Sequence, residues 1–375
     1  MNTNYRFKRN ELIALSTVAV MAPTLRLFPA GSAQLAGKAA WLSPFLALPV
    51  LILYVCFIGV FMGRRQEGEG LVQLIRRCLG ERLAPWLLWP VLLWLLLYSA
   101  FVLRSGADRI ITTIYPNSSP PIFCISMGLL GFAAASGAAR SLVRVGKIVL
   151  PVVLGALLLV LLFSLFSIDT ANLLPISSYD VLPALRGSLA VVDVLSVSLY
   201  CICFIEGQSE KENGRTLPFS LWMLAMVALL TLLSVDVLGC FGSELCSILT
   251  RPFFSLVKNI VFFNSLERVE ALVVSLWIFP DFLLLSVFLF GAQQSLRLLL
   301  GKEFHYRGEG LLDMKNGRWC IALCALLAIV VSIIMAPNSK MLNLWSSIII
   351  PLANLVFAFI LLPLIYIVGK IRKSI

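Results

Sequence analysis

Histidine occurs once in the 375 residues, as His305. A His-based metal site needs several imidazoles, and a Ser-His nucleophile needs one beside a serine. His305 instead stands in a basic loop between apolar runs, so neither can be assembled within them. Gly68 and Gly70 lack the strand and the longer glycine pattern of a phosphate-binding loop, which argues against ATP hydrolysis. No catalytic residue, metal ligand or cofactor is expected, and the chain reads as a non-enzyme. Charge is also scarce: Asp, Glu, Lys and Arg make up 13% of the residues and hydrophobic types 60%, with a mean hydropathy of +0.96. Such a composition excludes a soluble protein and specifies an integral membrane one.

Apolar runs long enough to cross about 30 Å of hydrocarbon recur along the whole chain, which predicts an all-α, single polytopic domain over residues 1–375. About ten spans are expected. They lie near Glu11–Leu35, Leu42–Met62, Ala84–Arg104, Pro121–Ser136, Leu142–Ile168, Leu185–Ile205, Pro218–Cys240, Glu267–Leu299, Trp319–Ala336 and Leu342–Val368. The net charge of +11 does not indicate nucleic acid, because the cations are scattered through short loops. With both termini cytoplasmic, the inner segments hold most of the Lys and Arg, and the outer loops only Lys38, Arg109, Arg251, Lys258 and Lys340. That bias favours the N-in, C-in orientation. The basic start Met1–Asn10 is followed by no small-residue cleavage site, so no removable signal peptide is expected. The cysteines lie mostly within spans, as small hydrophobes; Cys240 and Cys246 flank an expected outer loop and leave a disulfide open.

Two connecting segments read as surface helices. Leu71, Leu74, Ile75 and Cys78 repeat at helical spacing beside Arg76, Arg77 and Arg82, which suits an interfacial helix against the lipid bilayer. Ile248 to Ile260, interrupted by Arg251-Pro252, suits either an anchor or a cap over a cavity.

Polar residues at membrane depth are the functional candidates. In the first span, Ala22-Pro23-Thr24-Leu25-Arg26-Leu27-Phe28-Pro29 removes two backbone donors and adds a cation, which survives in hydrocarbon only against protein or a wet cavity. Arg26 either faces a ligand or pairs with a buried carboxylate. Asp193 shares a helical face with Ser196 and Tyr200, as a ligand-facing stripe or as packing glue. Tyr98 lies deep in the third span, and Arg104 with Asp108 forms an i,i+4 ion pair near its end. Asp236 and Asp281 are single carboxylates without a local partner, able to neutralise Arg26 or carry a proton. Glu267, Arg268 and Glu270 at the start of the eighth span, with Trp277 continuing their face, suggest a structural or signalling ion-pair network or, as the alternative, a cation-binding wall.

Arg9-Asn10-Glu11-Leu12, the proline-interrupted first span, Ala36-Gly37-Lys38-Ala39-Ala40-Trp41-Leu42-Ser43-Pro44, Leu79-Gly80, Asn172-Leu173-Leu174-Pro175, Arg251-Pro252-Phe253-Phe254 and Leu266-Glu267-Arg268-Val269-Glu270 with Trp277 together resemble the B-subunit family of endospore germinant receptors. That family is similar to the amino-acid/polyamine/cation permeases. The resemblance implies a leucine-transporter-like fold of two inverted five-helix repeats, here approximately 11–168 and 184–368, with a broken first helix and a ligand site at its centre. It implies a spore inner-membrane subunit that senses a small nutrient, typically an amino acid, together with A and C subunits. Pro23, Thr24, Arg26, Tyr98, Asp193, Ser196 and Tyr200 are then the expected ligand-binding residues. Two departures stand out: Pro23 and Thr24 replace the glycines usual at the unwound point, and the sixth span has no break of its own. A secondary amino-acid transporter coupled to H+ or Na+, and a structural subunit with a vestigial pocket, are the competing readings.

Overall fold

The computed structural model describes residues 8–66, 68–137, 139–205, 217–259, 269–301 and 314–374, with the side chains at 26, 27, 217, 269, 270 and 314–317 outside the description. The described chain is almost wholly helical, as a lipid-embedded backbone must be to satisfy its own amides. The helices are α1 (Arg9–Ala36), α2 (Ser43–Gly63), α3 (Leu71–Thr113), α4 (Pro120–Ala135), α5 (Ala139–Ser164), α6 (Val181–Ile205), α7 (Leu217–Ile248), α8 (Pro252–Asn259), α9 (Val269–Leu276), α10 (Ile278–Leu299), α11 (Met314–Met335), α12 (Ser339–Leu344), α13 (Ile350–Val356) and α14 (Leu362–Ile371). Among the described residues, 8 stretches are long and apolar enough to cross a membrane, the first running from Phe28 to Gly63 across the end of α1, and α4 is a shorter apolar helix. The eighth expected span divides at Trp277 into α9 and α10, and the tenth comprises α12 to α14.

Proline placement explains several local shapes. Pro23 and Pro29 lie within α1, but the helical path runs on through both, so the expected break in the first helix is instead a pair of missing amide donors inside one helix. The carbonyl of Pro29 is approached by the Ser32 hydroxyl at 3.4 Å and the Cys246 thiol at 3.6 Å. In the last span, π-helical turns at Trp345–Ile349 and Phe357–Leu361 each end two residues before a proline, Pro351 and Pro363. A proline ring displaces the carbonyl four residues back, and the wider turn accommodates it.

α1 packs along α6, with α5, α7 and α10 around it, and α3 packs on α10 and α11. Close approach is secured at Gly187 of α6, where a Cβ would lie 2.5 Å from Ser43 Oγ and 2.9 Å from Ala36 Cβ. Beyond Ala36 the chain forms a 3-10 turn, Gly37–Leu42. Its Lys38 Nζ donates to Ala171 O at 3.2 Å and its Trp41 Nε1 to Leu173 O at 3.4 Å. Asn172 Nδ2 in turn donates to Gly239 O at 2.9 Å, so the loop after α5 is strapped to the ends of α1 and α7.

At the opposite end of the bundle the interfacial reading of residues 71–78 is corrected. Leu71, Leu74, Ile75 and Cys78 are fully buried in protein, forming the first turns of α3 before a kink at Gly80 (φ 70°, ψ 174°). The apolar face found helical neighbours, which bury it more completely than a lipid surface. Arg372 donates to Leu79 O and Ser374 Oγ to Cys78 O at 3.4 Å, so the C-terminal helix caps the carbonyls freed at that kink. Trp86 and Trp319 project outward here, as aromatic side chains do at membrane–water interfaces.

Candidate functional site

Midway along the bundle, polar side chains from α3, α6 and α13 converge in a buried cluster. Asp193 of α6 accepts from Asn354 Nδ2 of α13 at 2.6 Å, Asn354 Oδ1 accepts from Tyr200 OH at 3.0 Å, and Tyr200 OH accepts from Trp94 Nε1 of α3 at 3.4 Å. Burying a carboxylate costs several kcal/mol unless it is paired and hydrogen-bonded. The short charge-assisted bond from Asn354 offsets part of that cost. Tyr98 adds an aromatic wall, with ring centroids 5.3 Å from Trp94 and 4.6 Å from Phe288 of α10. On α1, Thr17 Oγ1 accepts from Trp222 Nε1 at 2.8 Å and Ser16 Oγ donates to Ser198 O at 3.4 Å, fixing α1 against α7 and α6. Thr24 is different: it is 2% exposed and its hydroxyl has no hydrogen-bond partner. A buried unpaired hydroxyl costs about 1–3 kcal/mol, which makes it the polar atom in α1 most in need of a partner.

A cap closes this cluster at the Ala36 end. Trp277, wholly buried between α9 and α10, donates from Nε1 to Met21 O at 3.4 Å, one turn before Arg26. Phe253 and Phe254 of α8 pack on its ring at centroid distances of 5.5 and 6.1 Å. Two ion-pair sets tie the cap down. Arg109 pairs with Asp281, both buried, and its guanidinium lies 5.5 Å from the Phe254 centroid. Arg251, leading into α8, pairs with Asp108 and donates to Thr112 Oγ1 at 2.8 Å. Arg104 reaches the same Asp108 at 3.6 Å, the i,i+4 pair expected from spacing, and donates to Ala336 O at 2.9 Å.

The structure assembles Asp193, Tyr200 and Tyr98 as the α6 and α3 parts of one buried cluster. Ser196 shares their helix, but its hydroxyl turns back to Asp193 O at 2.9 Å. Pro23 and Thr24 are buried in α1. Arg26 lies in the same helix and its side chain is outside the description, as are Glu267 and Arg268 altogether and the Glu270 side chain. Several expectations are corrected. Asp281, with no local partner, holds Arg109 from far along the chain, and Arg109, expected in an outer loop, lies buried in α3. Asp236 accepts from the Ser164 hydroxyl. Cys240 and Cys246 do not pair, being free thiols on one helix directed at the carbonyls of Ser164 and Pro29. Sequence reasoning missed Asn354 and Trp94. An asparagine midway along the apolar tenth span was the available signal for the first.

A helical membrane bundle with a buried polar cluster joining its third, sixth and tenth spans defines a permease-type membrane protein. The chain belongs to the spore germination protein family, described as a spore permease, whose sequence model matches residues 9–340. No curated protein matches the chain. Among solved structures, it is similar to a Na+-coupled sialic acid symporter in a substrate-bound outward-open state, with 12% identity and a TM-score of 0.63, covering 96% of this chain and 80% of that one. Mhp1, a nucleobase-cation-symport-1 family transporter in a closed conformation with bromovinylhydantoin bound, gives the same values: 12% identity, TM-score 0.63, and 96% and 80% coverage. At such identity the likeness is one of fold, and it is the leucine-transporter-like fold that the sequence resemblance implied.

Proposed function

We propose that this chain is the membrane subunit of a spore nutrient germinant receptor, which binds an amino acid between α1, α3 and α6 and signals by changing conformation. In this reading it sits in the spore inner membrane with both termini cytoplasmic and acts with A and C subunits. The observation that carries the reading is the buried polar cluster of α3, α6 and α13, together with the unpaired Thr24 hydroxyl of α1, in a chain of the spore germination family. Pairing of the first span with the sixth, and of the third with the eighth, is the pattern that two inverted repeats at roughly 11–168 and 184–368 would give. The Thr24 hydroxyl and the Arg26 guanidinium supply a hydroxyl and a cation to a ligand carboxylate, while Tyr98, Tyr200 and Asp193 bound the remainder. The ligand drives signalling only through its differential affinity for two states. The cap formed by α8 and Trp277 is the element whose position such a ligand biases, since Trp277 is bonded to the α1 backbone at Met21.

A second reading, a secondary amino-acid transporter coupled to H+ or Na+, is favoured by the buried Asp193 carboxylate at mid-bundle. Uptake of labelled amino acids into proteoliposomes separates the two. The receptor reading expects ligand binding without gradient-driven accumulation, and robust accumulation by the isolated chain overturns it.

A further inference from the structure

Away from the central cluster, the contact between α5 and α7 holds a carboxylate that the receptor reading does not use. Asp236 of α7 is 2% exposed. One of its oxygens accepts from the Ser164 hydroxyl, and the other, Oδ1, has no hydrogen-bond partner. Among the described residues no Lys, Arg or His forms an ion pair with it. Ser164 Oγ also stands 2.9 Å from Val160 O and 3.0 Å from Leu161 O. A serine hydroxyl carries a single hydrogen, so three acceptors converge on one donor proton. Ser164 is moreover the last residue of α5 before a 3-10 turn over Leu165–Ser167. The carbonyl end of a helix carries partial negative charge, so the backbone field here adds to that of the carboxylate.

Apart from the Ser164 hydroxyl and the Cys240 thiol, the polar atoms at this point are acceptors. We propose that Asp236, Ser164 and the carbonyl end of α5 form a binding site for one small cation, a proton or Na+. A proton on Asp236 supplies the second hydrogen that the crowded acceptors lack. A Na+ ion takes the same oxygens, in keeping with its preference for hard ligands. The loop after α5 lies directly over the site: Asp169 N and Asn172 Nδ2 bond Gly239 O at 3.0 and 2.9 Å, and Ile168 packs against Gly239. Because Lys38 and Trp41 hold the same loop, occupation of the site is coupled to the end of α1. The titratable group beside it among the described residues is Cys240, whose thiol donates to Ser164 O at 3.7 Å; Asp169, in the overlying loop, caps Ala171 N at 2.9 Å instead. This site does not depend on the nutrient-receptor reading.

The full chain, purified into lipid nanodiscs, tests it with H+ and Na+ as the probes. Infrared difference spectra across a pH step report a protonating carboxyl, and thermal unfolding in NaCl against choline chloride at equal ionic strength reports Na+. If the occupant is a proton, a protonated-carboxyl band appears on acidification in the wild type and is missing in Asp236→Asn, with no response specific to Na+. If it is Na+, the unfolding temperature rises saturably with NaCl but not choline, and Asp236→Asn abolishes the rise. Ser164→Ala keeps the carboxylate and serves if Asp236→Asn does not fold. Loss of one charge-assisted hydrogen bond should shift its pH midpoint by about one unit, or its half-saturating Na+ concentration about tenfold. Responses to both cations that are identical in the wild type and Asp236→Asn, or a Ser164→Ala midpoint and half-saturating concentration both equal to the wild type's, overturn the proposal.

Discussion

Replacing Asn354 by leucine removes a side chain that bridges Asp193 and Tyr200 across the bundle. The variant loses the 2.6 Å bond to Asp193 Oδ1 and the 3.0 Å bond from Tyr200 OH. A hydrogen bond to a charged group is worth about 1.5–3 kcal/mol, and loss of the Tyr200 bond, which leaves that hydroxyl only the contact from Trp94, adds about 0.5–1.5 kcal/mol. Polar pairs between membrane helices average only about 0.6 kcal/mol, because an unfolded chain in the membrane finds other partners. The short distance, the carboxylate and the burial place Asn354–Asp193 above that average, so a coupling energy of about 1.5–3 kcal/mol is expected. It is measured by a double-mutant cycle of Asn354→Leu and Asp193→Leu, with unfolding of the purified protein in nanodiscs as the readout. Single variants whose losses add within about 0.5 kcal/mol would refute the bridge as an energetic unit.

Asp281→Asn leaves Arg109 buried without its carboxylate and should cost about 3–5 kcal/mol in an unfolding assay, whereas Arg109→Met with Asp281→Leu recovers most of that loss. Gly80→Ala imposes the strain of a positive φ, about 1–2 kcal/mol, and sets a Cβ 2.5 Å from the Arg372 guanidinium; adding Arg372→Ala relieves the clash but not the strain. Trp277→Phe removes the bond to Met21 O while keeping most of the ring packing, so stability should fall by about 1 kcal/mol or less. Its larger effect should be on the germination response, read as the rate of spore refractility loss at saturating nutrient. Wild-type kinetics in that variant would detach the cap from signalling.

The helical spans were legible because bilayer thickness fixes their length and hydrocarbon tolerates no unsatisfied backbone. The Arg104–Asp108 pair was legible for a similar reason: it is local, set by helical spacing. Partners distant in sequence were not. Asp281 finds Arg109 across 172 positions and Asp193 finds Asn354 across 161, and nothing in either segment names the other. The burial of residues 71–78 in protein is not legible, because an amphipathic helix looks alike whether lipid or protein covers its apolar face. Proline at 23 and 29 signalled missing donors correctly, but not that α1 would continue through them. Motif residues with no evident chemistry, Lys38, Trp41 and Asn172, prove to fasten one loop.

The most direct test of ligand recognition by α1 is the nutrient concentration for half-maximal germination in spores carrying Thr24→Val. Valine keeps the shape and removes only the unpaired hydroxyl, so membrane levels and stability should be unchanged or slightly raised. A ligand that uses that hydroxyl loses one hydrogen bond, which predicts a rise of about tenfold in the half-maximal concentration. An unchanged concentration at normal protein level would contradict a nutrient site built on Thr24.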